Sequence, residues 1–332
     1  MNFFELDTTA LQEWMANHGM EKYRAKQVMS WVWDKNVLDP QQMTNLPESD
    51  RNQLRELFSN APTVEKAVRS RDASRKVLIA YPDGKKVEMV LMKSVGHLTL
   101  CVSTQIGCGF SCSFCQSGKE GLERNLTAGE IMAQVALCSP RPRNIVFMGI
   151  GEPLANWDNF VKAAKRLNKE AGISMRHMTV STVGVPGKIM LVGKDLPQMR
   201  LAISLHAPRQ ATRERIMPRA AKALKMRDLI DDIKDYVALT KNRVTFEYIM
   251  ISKVNDSIDD AIALSDLLSG VPALINLIPY NEIEGSEFHP SSPQAIRKFL
   301  ELLRAEGYDA TVRKSLGLSE NAACGQLKAH ES

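Results

Sequence analysis

The order of apolar and polar positions divides the chain into three stretches. Through residues 1–60 apolar side chains recur at helical spacing: Leu6, Leu11, Trp14 and Met15 open the pattern and residues 23–33 continue it. Pro40 and Pro47 cut this stretch into short helices. Across 61–96 two apolar runs, 76–81 and 86–92, flank Pro82-Asp83-Gly84, which predicts a β-hairpin. From residue 97 strands and helices alternate, the rhythm of a parallel sheet or barrel. Strands are expected at 98–103, 144–149, 177–182, 199–205, 244–250 and 274–279, with a further one near 309–314. Thr127-Ala-Gly-Glu130 is a capping box that starts a helix, and Asp158 to Leu167 opens the next. The expected organisation is a helical accessory domain (1–60), a β-hairpin linker (61–96) and an α/β domain (97–332).

In such folds ligands sit beyond the carboxyl ends of the strands. The distinctive residues fall there. A cysteine cluster follows the first strand, Gly151-Glu152 the second, Ser181 the third, Ser204-Leu205-His206 the fourth and Asn281 the sixth. Five agreements point to one shared pocket.

Composition narrows the class. With 332 residues, 44% hydrophobic and 24% charged, the chain is long enough for one large α/β domain and a small companion. No run of 18 apolar residues suits a membrane span. The opening Met1-Asn-Phe-Phe-Glu-Leu-Asp7 is unlike a secretory leader, so a cytoplasmic protein is expected. The net charge of +5 permits a polyanionic partner without requiring one. Lys22, Arg24, Lys26 and Lys35 form a basic helical surface that suits the phosphate backbone of RNA, so an RNA-binding accessory domain is expected at 1–60, although the commoner meaning of such a face is simple solvation. Arg141 and Arg143 before the second strand, and Arg209, Arg213, Arg215, Arg219, Lys222, Lys225 and Arg227 after the fourth, are expected to ring the pocket mouth and bind phosphates.

Four of the six cysteines lie in residues 101–115, and Cys108, Cys112 and Cys115 follow C-x3-C-x2-C. Three thiolates leave one coordination position open, whereas structural zinc is closed by four ligands. A zinc knuckle completed by Cys101 or a histidine is the plainer alternative, but the usual second ligand pair is absent. Gly149-x-Gly151-Glu152 lacks the remaining residues of a phosphate loop; close backbone approach at the glycines, with Glu152 accepting from an ammonium, accounts for it better. Ser204 and His206 invite comparison with a serine hydrolase, yet no nucleophile elbow surrounds them. Cys138 sits in an apolar helical run and reads as a small buried hydrophobe. Cys324, between Ala323 and Gly325, gains little as packing.

The C-x3-C-x2-C spacing is similar to the signature of the radical S-adenosylmethionine (SAM) superfamily. Together with Cys101, residues 149–156, Ser204-Leu-His206 and residues 321–327, it resembles the RlmN/Cfr family of RNA adenine methyltransferases, most like the RlmN branch. The resemblance implies a partial (β/α)6 barrel, a 4Fe–4S cluster on Cys108, Cys112 and Cys115, and SAM, two per turnover. It places SAM among Gly151, Glu152, Ser181, Ser204, Leu205, His206 and Asn281. Cys324 would carry the methyl group as S-methylcysteine, Cys101 would resolve the protein–RNA bond through a transient disulfide with Cys324, and Glu88 would accept a proton. The implied substrate is an adenine of 23S rRNA, and of tRNA, attacked at C2. The partners implied are an electron donor such as flavodoxin and no membrane, for a monomeric enzyme. Cfr-type C8 methylation and a non-catalytic zinc RNA-binding protein are the alternatives.

Overall fold

The computed structural model describes residues 2–94, 96–119, 121–313 and 316–328. Three helices come first, α1 (Thr8–Asn17), α2 (Arg24–Trp33) and α3 (Glu48–Ser59), the first capped by Asp7, whose side chain accepts from the Ala10 amide. An antiparallel meander follows: β1 (Thr63–Arg69), β2 (Arg75–Ala80), β3 (Lys86–Ser94) and β4 (His97–Cys101). A short pair, β5 (Gln105–Gly107) and β6 (Leu122–Asn125), brackets the cysteine loop. Helices and strands then alternate: α4 (Ala128–Ala136), β7 (Asn144–Phe147), α5 (Trp157–Lys169), β8 (Met178–Thr182), α6 (Ile189–Asp195) and β9 (Arg200–Ser204). The chain continues through α7 (Gln210–Ile216), α8 (Pro218–Ala223), α9 (Met226–Thr240), β10 (Val244–Met250), α10 (Ile258–Leu267), β11 (Ala273–Pro279), α11 (Pro293–Ala305) and β12 (Asp309–Val312).

Among the described residues ten strands form one sheet in the order β1-β2-β3-β4-β7-β8-β9-β10-β11-β12. From β4 onward neighbours are parallel, and the order does not close. This is the expected partial α/β barrel, with the meander continuing its sheet on one side. The seven strands expected from residue 97 are present, most of them a few residues shorter, because the apolar pattern runs past the last ladder bond into the pocket wall. Lys314, at the end of the last expected strand, lies outside the described residues. The strand β1 was not expected: six of its seven residues are exposed, so no alternation marks it.

The predicted capping box is formed: the Thr127 side chain accepts from the Glu130 amide, and Glu130 accepts from the Thr127 amide. Every residue of α4 is buried, pinning the loop behind the cysteines. The N-terminal segment is clamped to α5 by Arg166, which donates to the carbonyls of Phe4 and Leu6 at 2.6 and 2.5 Å and pairs with Glu170. Trp33 lies fully in the core, while Trp14 and Trp31 are half-buried against it.

Candidate active site

Cys108, Cys112 and Cys115 occupy the loop between β5 and β6. Gly107 makes its first turn at φ +72, where a Cβ would stand 1.9 Å from the Gly121 carbonyl oxygen. The loop is tied down from three sides: the Cys108 amide donates to Gly121 at 2.8 Å, the Ser113 amide to Ile216 at 2.9 Å and the Gln116 amide to Gly325 at 2.7 Å. All three sulfurs line a cavity of about 160 Å³. Burial pushes the Cys108 thiol up to about 12; Cys112 and Cys115 are raised too, by burial and by neighbouring cysteines. Thiolates crowded this way need a positive centre between them. Among the described residues no three His, Cys, Asp or Glu side chains converge as a single metal ion requires. An iron–sulfur cube held by three cysteines is the group that this donor set, three thiols on the wall of one cavity, would suit.

The opposite wall comes from strand ends. Gly149 and Gly151 follow β7. A Cβ at Gly149 would lie 2.7 Å from the Val102 carbonyl oxygen, and one at Gly151, φ +101, would lie 2.5 Å from Gln105 Cβ. Glu152 is buried; its two oxygens accept from the Leu154 and Val183 amides, each at 2.9 Å, and its own amide donates to Gln105 Oε1 at 2.8 Å. Burial raises the Glu152 carboxyl to about 7 despite these bonds. Ser181 at the end of β8 and Ser204 at the end of β9 place their hydroxyls 3.1 Å apart. His206, at φ +57, takes the Ile249 amide on Nδ1 at 3.1 Å, leaving Nε2 as the proton-bearing nitrogen. Burial and then Arg213 hold the ring neutral, with a pKa of about 3. Ser204 thus pairs with Ser181 and His206 with backbone, which removes the serine–histidine couple of a hydrolase. Glu247 completes the wall with Oε2 buried and, among the described residues, without a hydrogen-bond partner; Arg313 Nη1 pairs with it at 3.8 Å.

A second cavity of about 340 Å³ lies beyond the first, lined by Cys101, His97 and Asn281 among others. Cys324, Cys115, Met148 and Arg313 border both cavities. Cys324 is exposed and Cys101 buried. Burial, and then Cys324, push the Cys101 thiol up to about 12, partly offset by Arg313. Arg313 is held charged chiefly by Cys324, then by Glu247 and Cys101. The loop carrying Cys324 is fixed by Asn281 Nδ2, which donates to the Cys324 carbonyl at 3.2 Å, and by Ser117 Oγ, which donates to Leu327 at 2.8 Å.

Most of the residues singled out in the sequence therefore face one of two joined cavities, and the exceptions are instructive. Leu205 is fully buried and absent from both linings. Asn281 borders the second cavity, not the first. Glu88 interrupts the apolar second strand of the hairpin, where a polar residue would most simply point outward; instead it is buried, paired with Lys76 Nζ at 2.8 Å and accepting the Lys328 amide at 2.9 Å, in a neighbouring cleft. The C-terminal segment covers that strand face, which no hairpin pattern foretells. The basic ring also needs correction. Arg213 is fully buried and donates to the carbonyls of Ser204, Leu205 and Val183. Arg209 pairs with Asp260, Lys225 with Glu214, and Arg24 of the N-terminal face with Asp50. Arg219 donates to the Gly109 carbonyl at 2.8 Å, bracing the cysteine loop. Cys138 is buried, as expected of a packing residue. Sequence reasoning missed Arg313 and Glu247, although a charge at the end of the last strand and a lone carboxylate in an apolar strand were both visible signals.

Comparison with known proteins agrees with this geometry. Residues 102–264 match the model of the radical SAM superfamily, and residues 1–59 match that of the ribosomal RNA large subunit methyltransferase N-terminal domain. A probable dual-specificity RNA methyltransferase RlmN of Fervidobacterium nodosum is 39% identical, covering 98% of this chain and 97% of its own. Its counterpart in Clostridium perfringens is 41% identical over 98% of this chain and 96% of its own. The crystal structure of a radical SAM methyltransferase from Sphaerobacter thermophilus superposes with a TM-score of 0.94 at 37% identity, covering 99% of this chain and all of that one.

Proposed function

We infer the chemistry of this chain from the premise that it belongs to the RlmN family. It is a radical SAM RNA methyltransferase whose cofactors are a 4Fe–4S cluster and SAM. The reaction is transfer of a methyl-derived carbon, by way of S-methylated Cys324, to C2 of an adenine in 23S rRNA and in tRNA. One observation carries this reading: Cys324 stands on the border between the cavity of the three cysteines and the cavity that contains Cys101.

The residues present fit both cofactors. Cys108, Cys112 and Cys115 would hold the cluster, their crowded thiols requiring positive charge. Glu152 would take the ammonium of SAM, while Ser181, Ser204, His206 Nε2 and Glu247 Oε2 offer neutral and charged partners to its ribose and adenine. When bound, the pair supplies one-electron chemistry strong enough to take a hydrogen atom from a methyl group.

The protein's own part is positional. The Cys324 thiolate, beside the Arg313 guanidinium, would attack the methyl carbon of SAM: the bond from that carbon to Cys324 forms, its bond to the sulfonium breaks, and the neutral thioether S-adenosylhomocysteine leaves. The adenine enters the second cavity unstacked from its neighbours. Once the Cys324 methyl has given up a hydrogen atom, its carbon has bonded to C2, and the adduct has lost the C2 proton and one electron, the Cys101 thiolate attacks the Cys324 sulfur: the S–S bond forms, the bond from Cys324 to the carbon on the base breaks, and its electron pair stays with that carbon, which takes a proton to become the methyl group. Glu88 takes the proton lost from the base, once the C-terminal segment that holds it through Lys328 moves. The disulfide must be reduced by a cellular dithiol before the next cycle. In this reading the electron donor is of the flavodoxin kind and the enzyme works as a monomer in the cytoplasm. Among the described residues no helix is long and apolar enough to cross a membrane.

Nucleoside mass spectrometry of RNA from cells with and without the gene tests the reaction: 2-methyladenosine should disappear with the gene. Purified variants test the thiols. Cys101→Ala should accumulate an RNase-sensitive covalent RNA adduct at Cys324, and Cys324→Ala none. Normal turnover by Cys101→Ala, or an adduct in Cys324→Ala, would show the two roles to be misassigned.

A further inference from the structure

The meander carries a cluster of cations that has no counter-charge among the described residues. Arg69 of β1 stands directly opposite Arg75 of β2, Arg75 stands opposite Leu91 of β3, and Lys93, two residues further, shares that face. With His97 and Pro140 these side chains line a cavity of about 490 Å³. Like charges directly opposite one another on adjacent strands are destabilising. At the other end of the same strands the sheet avoids this, pairing Lys86 with Glu65 at 2.6 Å. Here it does not: among the described residues Arg69, Arg75 and Lys93 make no ion pair with a carboxylate. Asp72, the acid of the β1–β2 turn, is committed to the amides of Ser74 and Gly317, at 3.0 and 2.6 Å. Arg75 is braced along the wall by the Ser139 carbonyl at 2.6 Å, while Arg69 and Lys93 are exposed. Arg143, also exposed, adds a further cation where its amide meets the Leu98 carbonyl at 3.0 Å.

The position of this cleft gives it a purpose. Val90 and Met92 of β3 face the Cys101–Cys324 chamber, and the alternate residues Leu91 and Lys93 face the cleft. His97 borders both. The cleft therefore begins where the chamber ends and passes round to the other face of the meander.

We propose that Arg69, Arg75 and Lys93 form a phosphodiester-binding subsite for the RNA strand flanking the inserted adenine, so that the backbone leaves the chamber past His97 and runs over these cations. The inference rests on the RNA methyltransferase reading above. An uncompensated arginine pair gains a counter-ion only when the strand is present. Phosphate contacts fix register without reading sequence. A grip of this kind accepts the backbone of a ribosomal RNA or a tRNA alike and leaves selection to the base and the RNA shape.

The test uses the reconstituted full-length enzyme and a synthetic RNA hairpin with an unpaired adenine in its loop. Binding is measured against salt for wild type, for Arg69→Gln/Lys93→Gln, and for a control pair, Lys162→Gln/Lys165→Gln, exposed on α5. Arg75 is left in place because it braces Ser139. Each single-strand phosphate contact contributes about 0.7 to the log–log salt slope, so the cleft variant should be shallower by about 1.4. Its KM for RNA should rise about tenfold, while methylation of Cys324 by SAM without RNA, read as protein mass, serves as the check on the intact centre. A slope and KM equal to wild type, or an equal loss in the control pair, would overturn the cleft alone. A wild-type enzyme that neither binds nor methylates RNA would sink the RNA methyltransferase reading, and the cleft with it.

Discussion

Replacing Arg213 with methionine tests whether the strand ends of the SAM cavity are held by one buried cation. The side chain is fully buried, with Nη1 donating to the carbonyls of Ser204 and Leu205, at 3.1 and 2.6 Å, and Nη2 to that of Val183. Among the described residues no carboxylate neutralises it and its Nε has no partner, and burial lowers its pKa to about 10. Two large effects oppose each other in the variant. Three charge-assisted hydrogen bonds vanish, about 1.5–3 kcal/mol each, while the cost of burying an unpaired cation, several kcal/mol, is relieved. The carbonyls remain buried and cannot all turn to water, so a net loss of about 2–4 kcal/mol is expected. Over 332 residues the unfolding entropy is about 0.7 kcal/mol/K, which makes this a fall in Tm of about 3–6 °C. SAM binding should weaken at least about tenfold, or 1.4 kcal/mol, because Val183 also donates to Glu152 and Ser204 and His206 flank the anchored carbonyls. Calorimetric melting and titration with SAM read the two effects. Arg209→Met, which breaks the surface pair with Asp260, is the comparison and should cost about 1 kcal/mol or less. Melting within 1 °C of wild type together with normal SAM binding would refute the idea that Arg213 is a strut.

Gly151→Ala puts a Cβ 2.8 Å from the Gln105 backbone nitrogen at φ +101, so about 2–5 kcal/mol of overpacking and strain should appear as a lower Tm and weaker SAM binding. Glu152 is an acid whose pKa is raised to about 7 in the fold; the empty protein should therefore lose stability as pH rises from about 4.5 to 7. SAM, needing the carboxylate, should bind more tightly as pH rises through that window, by up to tenfold per unit, and Glu152→Gln should flatten the titration if the assignment is right. Alanine at Cys108, Cys112 or Cys115 should abolish SAM cleavage and the broad iron–sulfur absorbance after anaerobic reconstitution; a fully active variant at any of the three would mean that the ligands lie elsewhere.

That the three cysteines, the glycines and Glu152 share one cavity was legible because each depends on local spacing: a loop that gathers thiols and a strand end that needs a small residue. What escaped depends on which surface is covered, and that is decided by distant parts of the chain. Glu88 reads as an outward residue until the Lys328 amide closes over it. Arg213 reads as one more cation of a basic stretch, yet α7 is so short that its inward position must fill the space beneath two strand ends, where a forked donor meets three carbonyls. Nothing in the local pattern of β1 marks a strand, since its ladder with β2 rather than its side chains fixes it at the edge. The same reasoning separates the two thiols. The sequence singles out both Cys101 and Cys324, but only the fold places one in a buried wall and the other on an exposed loop, with Arg313 near both. That asymmetry is what the proposed roles would require, an accessible sulfur to meet SAM and then RNA and a buried one to meet only its partner.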